Sequence, residues 1–448
     1  MKATGGRRLR RIAVLGNYGN LNLGDEATLS SVLQFVRRRC PGATVCALSE
    51  HPEETRARHG IEAAPSGADA GGPAPAGDPV VPRRTPSAGA GGLGGRLKAR
   101  LKQVPLLFAT LRTVVGLPGL ARGLWRQLRF AARCFAFLRR VDLLVVAGGG
   151  QLSDHFEGVW GFPRQLFSWC LLARCAGAQV AVLNVGAGPI RGPGSRVLFR
   201  WTLKLARYRS YRDERSRQLI ESIGVRDAGP VGPDLVFGWD APAAAPEEPA
   251  PDGRTVGLNV FPYKDWRYWP MYDPAAYAAY VEKIGDLALW FLGQGYRVRL
   301  FPTQLRADVR VIRDVLETLK PRLAAGDEDR LQVVPIQTVE DLAEEIRRTD
   351  VIVGTRFHAI VIAMLMGKPV LGLCNESKMT DLMSDMGQAA YALTLDSLEV
   401  SGAVARFVEL EADRGRVVAE LAGRVRRARQ ALEPQLEAVF GPPAGGQR

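Results

Sequence analysis

The sequence predicts an α/β protein built from two doubly wound parallel-sheet domains in succession. Short apolar runs rich in β-branched residues alternate with helix-like segments along 11–238 and again along 255–395. These runs are apolar throughout, as strands are when both faces of their sheet are covered. A Pro- and Ala-rich stretch without hydrophobic periodicity, 239–254, separates the two halves and is predicted to be a linker.

The same patterns set the domain boundaries. The first domain is predicted to occupy 1–238, beginning with the strand "RIAVLG", and the second 255–395, with strands such as "DVIVGT" and "PVLGLC". Residues 396–448 carry a helical pattern, and we expect them to form a C-terminal helix and tail. Residues 52–140 fit neither pattern, so we expect an insert in the first domain.

The positive charge of the chain is concentrated in that insert. The net charge is +14, and the interval between Asp78 and Asp142 holds thirteen Lys and Arg residues and no acidic residue. Eleven of them lie in 96–140, interleaved with Leu, Val, Phe and Trp125. This pattern fits a helical excursion with a solvated basic face, a nucleic-acid surface or a segment bound to an anionic membrane. Since no recognition motif accompanies the charge, we do not expect nucleic acid as a partner.

The composition indicates a cytoplasmic protein. The six cysteines are scattered without a CxxC pair, which favours reduced thiols over a metal site or a disulfide framework. The N-terminal apolar run "IAVLG" is too short for a signal peptide. The best candidate membrane span, "VPLLFATLRTVVGLPGLARGLW", is interrupted by Arg112, Pro118 and Arg122. We expect no metal ion and no cofactor.

A polar loop follows the first strand, at the edge where sheets of this kind bind ligands. The stretch "NYGNLNLGDEA" combines turn-forming glycines with polar side chains and leads directly into a helix. It has no GK[ST] sequence, so it is not a nucleotide-binding P-loop. A helix N-cap would account for Asp25 but leaves the other polar side chains unexplained. Those side chains belong to Asn17, Asn20, Asn22 and Glu26.

Cationic side chains lie just after strands in both halves. Arg212 follows "YRSY" in the first half. In the second, Arg356 and His358 follow "VIVGT", and Lys378 comes after "PVLGLC". Taken singly, an ion pair with Asp213 would explain Arg212, and an ordinary satisfied histidine would explain His358. Together they predict an anion site, because Arg offers a bidentate fork, Lys a point charge and a helix N-terminus free amides.

Several motifs occur in an order that identifies a family. They are "GNYGNLNLGDEATL", "LLVVAGGGQLSD", "NVGAGPI", "YRSYRDERSRQLIESIGV" with "GPDLVF", and "DVIVGTRFHAIVIAMLMGKPVLGLCNESKMTDLMSDMG". They cover most of 11–390, and the NxGDE and RxHA segments are the specific ones. With these motifs the chain resembles the polysaccharide pyruvyl transferase family. The resemblance implies a GT-B-like fold, in which two Rossmann-like domains face a cleft.

The resemblance also implies a reaction and the residues that carry it. The enolpyruvyl group of phosphoenolpyruvate, a co-substrate, is moved onto a sugar of a polysaccharide or lipid-linked glycan precursor, which forms a pyruvate ketal and releases phosphate. The donor-binding residues then fall on Arg212, Arg356, His358 and Lys378. The acceptor side falls on Asn17, Asn22, Gly24, Asp25, Glu26 and Gln151.

Roles within that reaction follow from side-chain chemistry. His358 is predicted to protonate the methylene carbon or to stabilise the leaving phosphate. Arg356 and Arg212 are predicted to hold the two anionic groups of the donor, while Lys378 adds charge as phosphate departs. Asp25 is predicted to deprotonate an acceptor hydroxyl. The predicted catalytic residues are therefore His358, Arg356 and Asp25.

The resemblance bears on the basic segment as well. Pyruvylated cell-surface sugars are often built on lipid carriers at the inner leaflet of the membrane. Of the three interpretations of 96–140, it therefore favours contact with an anionic membrane surface. The expected location is the cytoplasm, with peripheral attachment to the inner membrane face.

Two other functions compete with pyruvyl transfer. A GT-B glycosyltransferase that uses a nucleotide sugar would share the fold and the cationic site, and it would need a carboxylate for the ribose. Glu376 and Asp381 are candidates for that carboxylate. A non-catalytic lectin-like or scaffold protein is the third interpretation, and cations clustered at strand ends argue against it.

Overall fold

The computed structural model contains two parallel β-sheets, each covered by helices. The described residues are 9–68, 123, 125–155, 157–226, 229–242, 254–269 and 271–442. Predictions for 69–122, for 243–253 of the linker and for the tail at 443–448 lie outside the described residues.

The first sheet consists of β1 (Arg11–Leu15), β2 (Thr44–Ser49), β3 (Glu62–Pro65), β4 (Leu143–Ala147), β5 (Gln179–Val185) and β6 (Tyr208–Tyr211). Its helices are α1 (Leu23–Arg39), α2 (Pro52–His59), α3 (Phe162–Cys175), α4 (Pro193–Leu205) and α5 (Glu214–Ser222). The strand order is β3-β2-β1-β4-β5-β6. The connections change direction between β1 and β4, which opens a crevice at the carboxyl ends of these strands.

The second sheet repeats this arrangement. Its strands are β7 (Thr255–Asn259), β8 (Arg297–Phe301), β9 (Leu331–Val333), β10 (Val351–Gly354), β11 (Val370–Cys374) and β12 (Ala392–Thr394). Its helices are α6 (Pro274–Gly293), α7 (Ala307–Leu319), α8 (Val339–Arg347), α9 (Phe357–Leu365), α10 (Ser377–Asp385), α11 (Val400–Ala412) and α12 (Arg414–Phe440). The order β12-β11-β10-β7-β8-β9 places the change of direction between β7 and β10.

The central strands form where the sequence has uninterrupted apolar runs. Every residue of β4 ("LLVVA") and β11 ("VLGLC") is buried, as expected for strands covered on both faces. Helix α9 ("FHAIVIAML") is apolar nearly all round and is buried from its third residue onward. It therefore lies inside the molecule, and only its N-terminus reaches the cleft.

The prediction of one insert over 52–140 was wrong at its N-terminal end. Residues 52–65 form α2 and β3, and β3 pairs with β2 at the edge of the first sheet. The strand sequence "EAAP" has no β-branched residue, so its pattern did not indicate a strand. At the other end, a helix covers 125–138 and buries Cys134 and Leu138 against the first domain.

The last helix returns to the first domain. Residues 400–440 form two helices, α11 and α12, where the sequence predicted one from 396 onward, and the break falls at Asp413. Arg429 on α12 donates from Nε to the carbonyl oxygen of Phe237 at 3.0 Å. Arg207 donates to the carbonyl oxygen of Val439 at 2.6 Å. Within the described part of the chain, no helix combines the length and hydropathy needed to cross a membrane.

Candidate active site in the cleft

A cavity of about 2000 Å³ lies between the carboxyl ends of the two sheets. It collects most of the side chains that the sequence singled out, although they come from loops far apart in the chain. The predicted site residues in its lining are Asn17, Asn22, Asp25, Gln151, Arg212, Arg356, His358 and Lys378. Gln151 is held there by donating from Nε2 to the carbonyl oxygens of Ala147 and Gly148 at 3.1 and 3.0 Å.

The polar loop after β1 is organised around the carboxylate of Asp25. The N-cap of α1 is Asn22, whose side chain accepts a hydrogen bond from the Gly24 amide. Asp25 is therefore not the cap of this helix, and capping does not explain its presence. Asn17 and Asn22 both donate to Oδ2 of Asp25, at 3.1 and 2.9 Å. Burial, with a smaller contribution from neighbouring Glu26 and Asp234, raises the pKa of Asp25 to about 7, although the hydrogen bond from Asn17 and the charge of Lys378 lower it. A carboxyl group with this pKa exchanges a proton readily near neutral pH.

Two residues predicted for the acceptor side have other positions. Glu26 is fully buried inside the first domain, where it accepts from the Gly19 amide at 2.8 Å and contacts His59 Nε2 at 2.7 Å. It therefore fastens the loop to α2. Gly24 lies directly against the His358 imidazole, and a Cβ atom at this position would overlap with the ring. A glycine here permits the close approach of the two domains.

The polar loop also bonds to the second domain. The Leu23 amide donates to the Thr303 carbonyl oxygen, and the Leu305 amide to that of Leu21, both at 2.9 Å. Gln304 Nε2 donates to the Asn20 carbonyl oxygen at 3.1 Å. Leu21 has φ of +58°, a conformation that is rare for a non-glycine residue, and the bonds on either side hold it there. The loop consequently closes one end of the cleft.

Arg356 is the most firmly held cation of the site. Its guanidinium pairs with both carboxylate oxygens of Asp308, with 3.1 Å from Nε to Oδ1 and 3.3 Å to Oδ2. Asp308 is fully buried and also accepts from the Thr303 and Gln304 amides. The guanidinium lies 4.5 Å from the centre of the Phe261 ring. Much of its charge is therefore already neutralised inside the second domain.

Arg212 is paired more loosely. Its Nε atom is 3.4 Å from Asp213 Oδ2, and its Nη1 atom is 3.8 Å from Asp234 Oδ2, both longer than a good charged hydrogen bond. It stacks on Phe357 of the other domain, 4.5 Å from the ring centre. The side chain crosses from the first domain to the second and has no tight partner among the described residues, so it is available to an anion.

His358 is the second residue of α9 and extends toward the first domain. Burial lowers its pKa to about 4, and Arg212, Lys378 and Arg356 act in the same direction, whereas Asp234 opposes them. The imidazole is therefore neutral at pH 7 before a ligand binds. A bound anion would neutralise the surrounding cations and raise the pKa of His358 again.

Lys378 lies at the start of α10, beside the start of α9. It pairs with Glu376 at 2.9 Å and lies 5.9 Å from the Phe357 ring centre. In the described structure, neither α9 nor α10 has a side chain hydrogen-bonded as its N-cap. Two helix N-termini, Arg212 and Lys378 thus face one region of the cleft, which suits a dianion.

Some lining residues were missed by the sequence analysis. An aromatic segment after β7 contributes Phe261, Tyr263, Tyr268 and Trp269 to the cavity, and the dense pattern "FPYKDWRYW" was the available signal. Asp234 and Asp308 were missed because their partners lie far away in the sequence. Within the described ranges, no three His, Cys, Asp or Glu side chains are grouped so as to hold a metal ion.

Two facing Rossmann-like domains with the site between them define the GT-B class of fold, and solved structures share it. UDP-GlcNAc 2-epimerase from Neisseria meningitidis matches with a TM-score of 0.53 and 12% identity over 97% of this chain and 100% of that one. The UDP-forming trehalose-phosphate synthase from Burkholderia vietnamiensis matches with a TM-score of 0.50 and 13% identity over 98% and 99%. Identities this low show the fold alone.

The sequence itself narrows the class. The sequence model of one family, polysaccharide pyruvyl transferase, matches residues 22–377, a range that includes Arg212, Arg356 and His358 and ends one residue before Lys378. The chain belongs to the polysaccharide pyruvyl transferase family. A comparison with curated proteins gives no match.

Proposed function

We propose that this protein transfers the enolpyruvyl group of phosphoenolpyruvate to a sugar of a polysaccharide or lipid-linked glycan precursor, which forms a pyruvate ketal and releases phosphate. One observation carries the proposal. A cationic site at two helix N-termini lies in the same cleft as Asp25, a carboxyl group whose pKa is raised to about 7. The two anionic groups of phosphoenolpyruvate suit the cationic site, and the proton of a sugar hydroxyl suits the carboxylate of Asp25.

The donor fits the distribution of cations. Arg212 and Lys378, with the amides at the starts of α9 and α10, provide charge for the phosphate. Because Arg356 is held by Asp308, its guanidinium presents a fixed edge to the carboxylate of phosphoenolpyruvate and adds little net charge to the site. This division is consistent with a substrate that must be bound tightly at one end and released at the other as phosphate.

The reaction balances with the residues in the cleft. His358 delivers a proton to the methylene carbon, which becomes a methyl group and leaves an oxocarbenium-like centre at C2. One sugar hydroxyl adds to C2, and Asp25 takes its proton. The C2–O bond to phosphate breaks, and the second hydroxyl adds in its place. Of the two hydroxyl protons, one replaces the proton that His358 gave and the other leaves with phosphate.

The acceptor fits amide groups of the first domain together with aromatic rings of the second. Asn17, Asn22 and Gln151 offer amides to sugar hydroxyls, and Tyr268 and Trp269 offer aromatic faces to a pyranose ring. Edge-to-face packing at 4.8 Å between these two rings keeps them in place. Groups of this kind recognise neutral, hydroxylated ligands and leave the anionic donor to the cations.

A nucleotide-sugar transferase has less support. Its candidate ribose ligands are both in ion pairs, since Glu376 binds Lys378 at 2.9 Å and Asp381 binds Arg215 at 3.0 Å. Opening either pair would cost part of the affinity gained from a ribose hydroxyl.

Ligand-induced thermal stabilisation distinguishes the donors. Phosphoenolpyruvate at 100 times its Kd should stabilise the protein by about 2.7 kcal/mol, whereas UDP-GlcNAc should leave the melting temperature unchanged. Arg212→Ala should remove the response, and Arg217→Ala, an exposed arginine on α5 paired with Glu214, should retain it. Stabilisation by UDP-GlcNAc alone would replace the proposal with the nucleotide-sugar function.

A further inference from the structure

Asp234 has an unusual position at the boundary between the domains. It lies in the "GPDLVF" stretch and is 3% exposed. Its Oδ1 atom accepts from the Val236 amide at 2.9 Å, which fixes the orientation of the carboxylate. Its Oδ2 atom is buried and has no hydrogen-bond partner among the described residues. Buried carboxylate oxygens are rarely left without a hydrogen-bond donor. The free acceptor on Asp234 therefore points to a partner that arrives in another state of the protein.

The atom that Asp234 faces is also unused. His358 Nε2, from the other domain, lies 3.8 Å from Oδ2 of Asp234, and it too is buried without a hydrogen-bond partner among the described residues. Arg212 Nη1 lies 3.8 Å from the same oxygen. The other charged groups that act on His358 are Lys378 and Arg356. An approach of about 1 Å would turn the Asp234–His358 contact into a hydrogen bond.

We propose that Asp234 is the positioning residue for His358 and accepts a hydrogen bond from its Nε2–H when an anion occupies the cleft. Arg212 links anion binding to this hydrogen bond, because an anion that binds Arg212 draws the guanidinium away from Asp234. The freed carboxylate oxygen then receives the imidazole. Since Gly24 presses on the other side of the ring, a small movement of α9 suffices to complete the contact.

Two consequences follow for the proton on His358. A carboxylate facing Nε2 selects the tautomer with its proton on that nitrogen. It also favours the imidazolium, in opposition to the three cations around it. Asp234 would therefore keep His358 able to hold a proton until the donor arrives. In the proposed function, Nε2–H stays on Asp234 and the proton that reaches the methylene carbon is the one on Nδ1 of the imidazolium, but the contact itself does not depend on which anion binds.

Histidine NMR tests the proposal directly, because the chain has only four histidines. The full-length protein is labelled in its imidazole rings, and His358→Gln identifies the signal of His358. With saturating inorganic phosphate, the wild-type signal should report the Nε2–H tautomer at high pH and a pKa raised above about 4. In Asp234→Asn, the pKa with phosphate should be lower by at least about 1.

The control is Asp213→Asn, which removes the other carboxylate beside Arg212 while an Asn can still cap α5. Its His358 signal should titrate as in the wild type. If Asp234→Asn does not fold, the wild-type tautomer decides the matter. Two results for the proton would overturn the proposal: an Nδ1–H tautomer, or an unchanged pKa of His358 in Asp234→Asn. A wild-type His358 signal that responds neither to phosphate nor to phosphoenolpyruvate would overturn it as well. A response to phosphate but not to phosphoenolpyruvate would uphold the role of Asp234 and remove the proposed donor.

Discussion

The two walls of the cleft differ in charge and in how firmly their side chains are held. The cationic wall, from the second domain, consists of Arg356, His358 and Lys378. The amide wall, from the first domain, consists of Asn17, Asn22, Asp25 and Gln151. Side chains of the cationic wall are paired to carboxylates or crowded by like charges, whereas those of the amide wall are hydrogen-bonded to one another or to backbone.

This difference separates two kinds of ligand. The cationic wall suits a compact anion, because its helix N-termini and charges face one region of the cleft. The amide wall suits a neutral molecule with many hydroxyl groups, because its amides both donate and accept. Arg212 is the exception, since it originates in the first domain but stacks on Phe357 of the second. Substitutions on the two walls should therefore damage different steps.

The largest effect is expected from His358→Gln on the cationic wall. Loss of the proton donor should lower turnover by about 10²- to 10⁴-fold and change the affinity for phosphoenolpyruvate little. The rate of phosphate release with a competent acceptor measures turnover, and calorimetric titration measures the affinity for phosphoenolpyruvate. Unchanged turnover would remove His358 from the chemistry and leave the cationic wall with binding alone.

Arg356→Ala should act mainly on folding. It leaves Asp308 as a buried charge without its partner, which costs about 3–5 kcal/mol of unfolding free energy. Urea denaturation measures this loss, and Arg306→Ala, a neighbouring arginine that also lines the cavity, serves as the control. A variant with wild-type stability and a large loss of donor affinity would show that Arg356 belongs with the loosely held cations.

Arg212→Ala should act mainly on donor binding. Charged hydrogen bonds contribute about 1.5–3 kcal/mol, so phosphoenolpyruvate affinity should fall by about 10- to 150-fold. Its long contacts with Asp213 and Asp234 make the cost in stability smaller than for Arg356→Ala. Calorimetric titration with Arg217→Ala as control measures the affinity, and equal stability losses for both arginines would break the distinction between tight and loose pairing.

Asp25→Asn tests the amide wall through its pH dependence. Since burial raises the pKa of Asp25 to about 7, wild-type activity should rise with pH through that value, and the variant should lose this limb. The folded state binds this proton more tightly than the unfolded chain, so the associated stability is complete below about pH 4 and is lost by about pH 7. As the pH rises from about 4 to about 7, the melting temperature of the wild type should therefore fall relative to that of Asp25→Asn. A parallel pH dependence in both proteins would contradict the assignment.

The smallest effect concerns the helix at 125–138, which also lines the cleft. Trp125 and Leu128 are 63% and 54% exposed on this basic helix, and the membrane prediction for 96–140 rests partly on them. Replacing both by Ser should weaken retention on anionic vesicles by about tenfold or less, and salt should weaken it further. Trp201→Ser, an exposed tryptophan on α4, is the control. Equal retention of all three proteins would reject membrane contact through this helix.

Much of this fold follows from local patterns, but the site does so only in part. The alternation of "LLVVA"-like runs with helical segments predicts the doubly wound sheets, since buried strands need little context to form. Arg212, Arg356, His358 and Lys378 were found because each follows a strand. Asp213 was considered in advance as a partner of Arg212, but the two carboxylates from distant loops, Asp234 and Asp308, escaped prediction. Asp234 meets His358, and Asp308 meets Arg356, only after loops distant in the chain come together, and no spacing rule encodes such a meeting.

The return of α12 to the first domain has a consequence for the order of synthesis. Gly238 lies between Phe35 of α1 and Leu432 of α12, and Arg39 of α1 pairs with Glu433. This part of the first domain therefore stays uncovered while the ribosome makes the entire second domain. Phe35 and Arg39 wait for Leu432 and Glu433 before their packing is complete. The contact between α1 and α12 can therefore form only after the second domain has been synthesised.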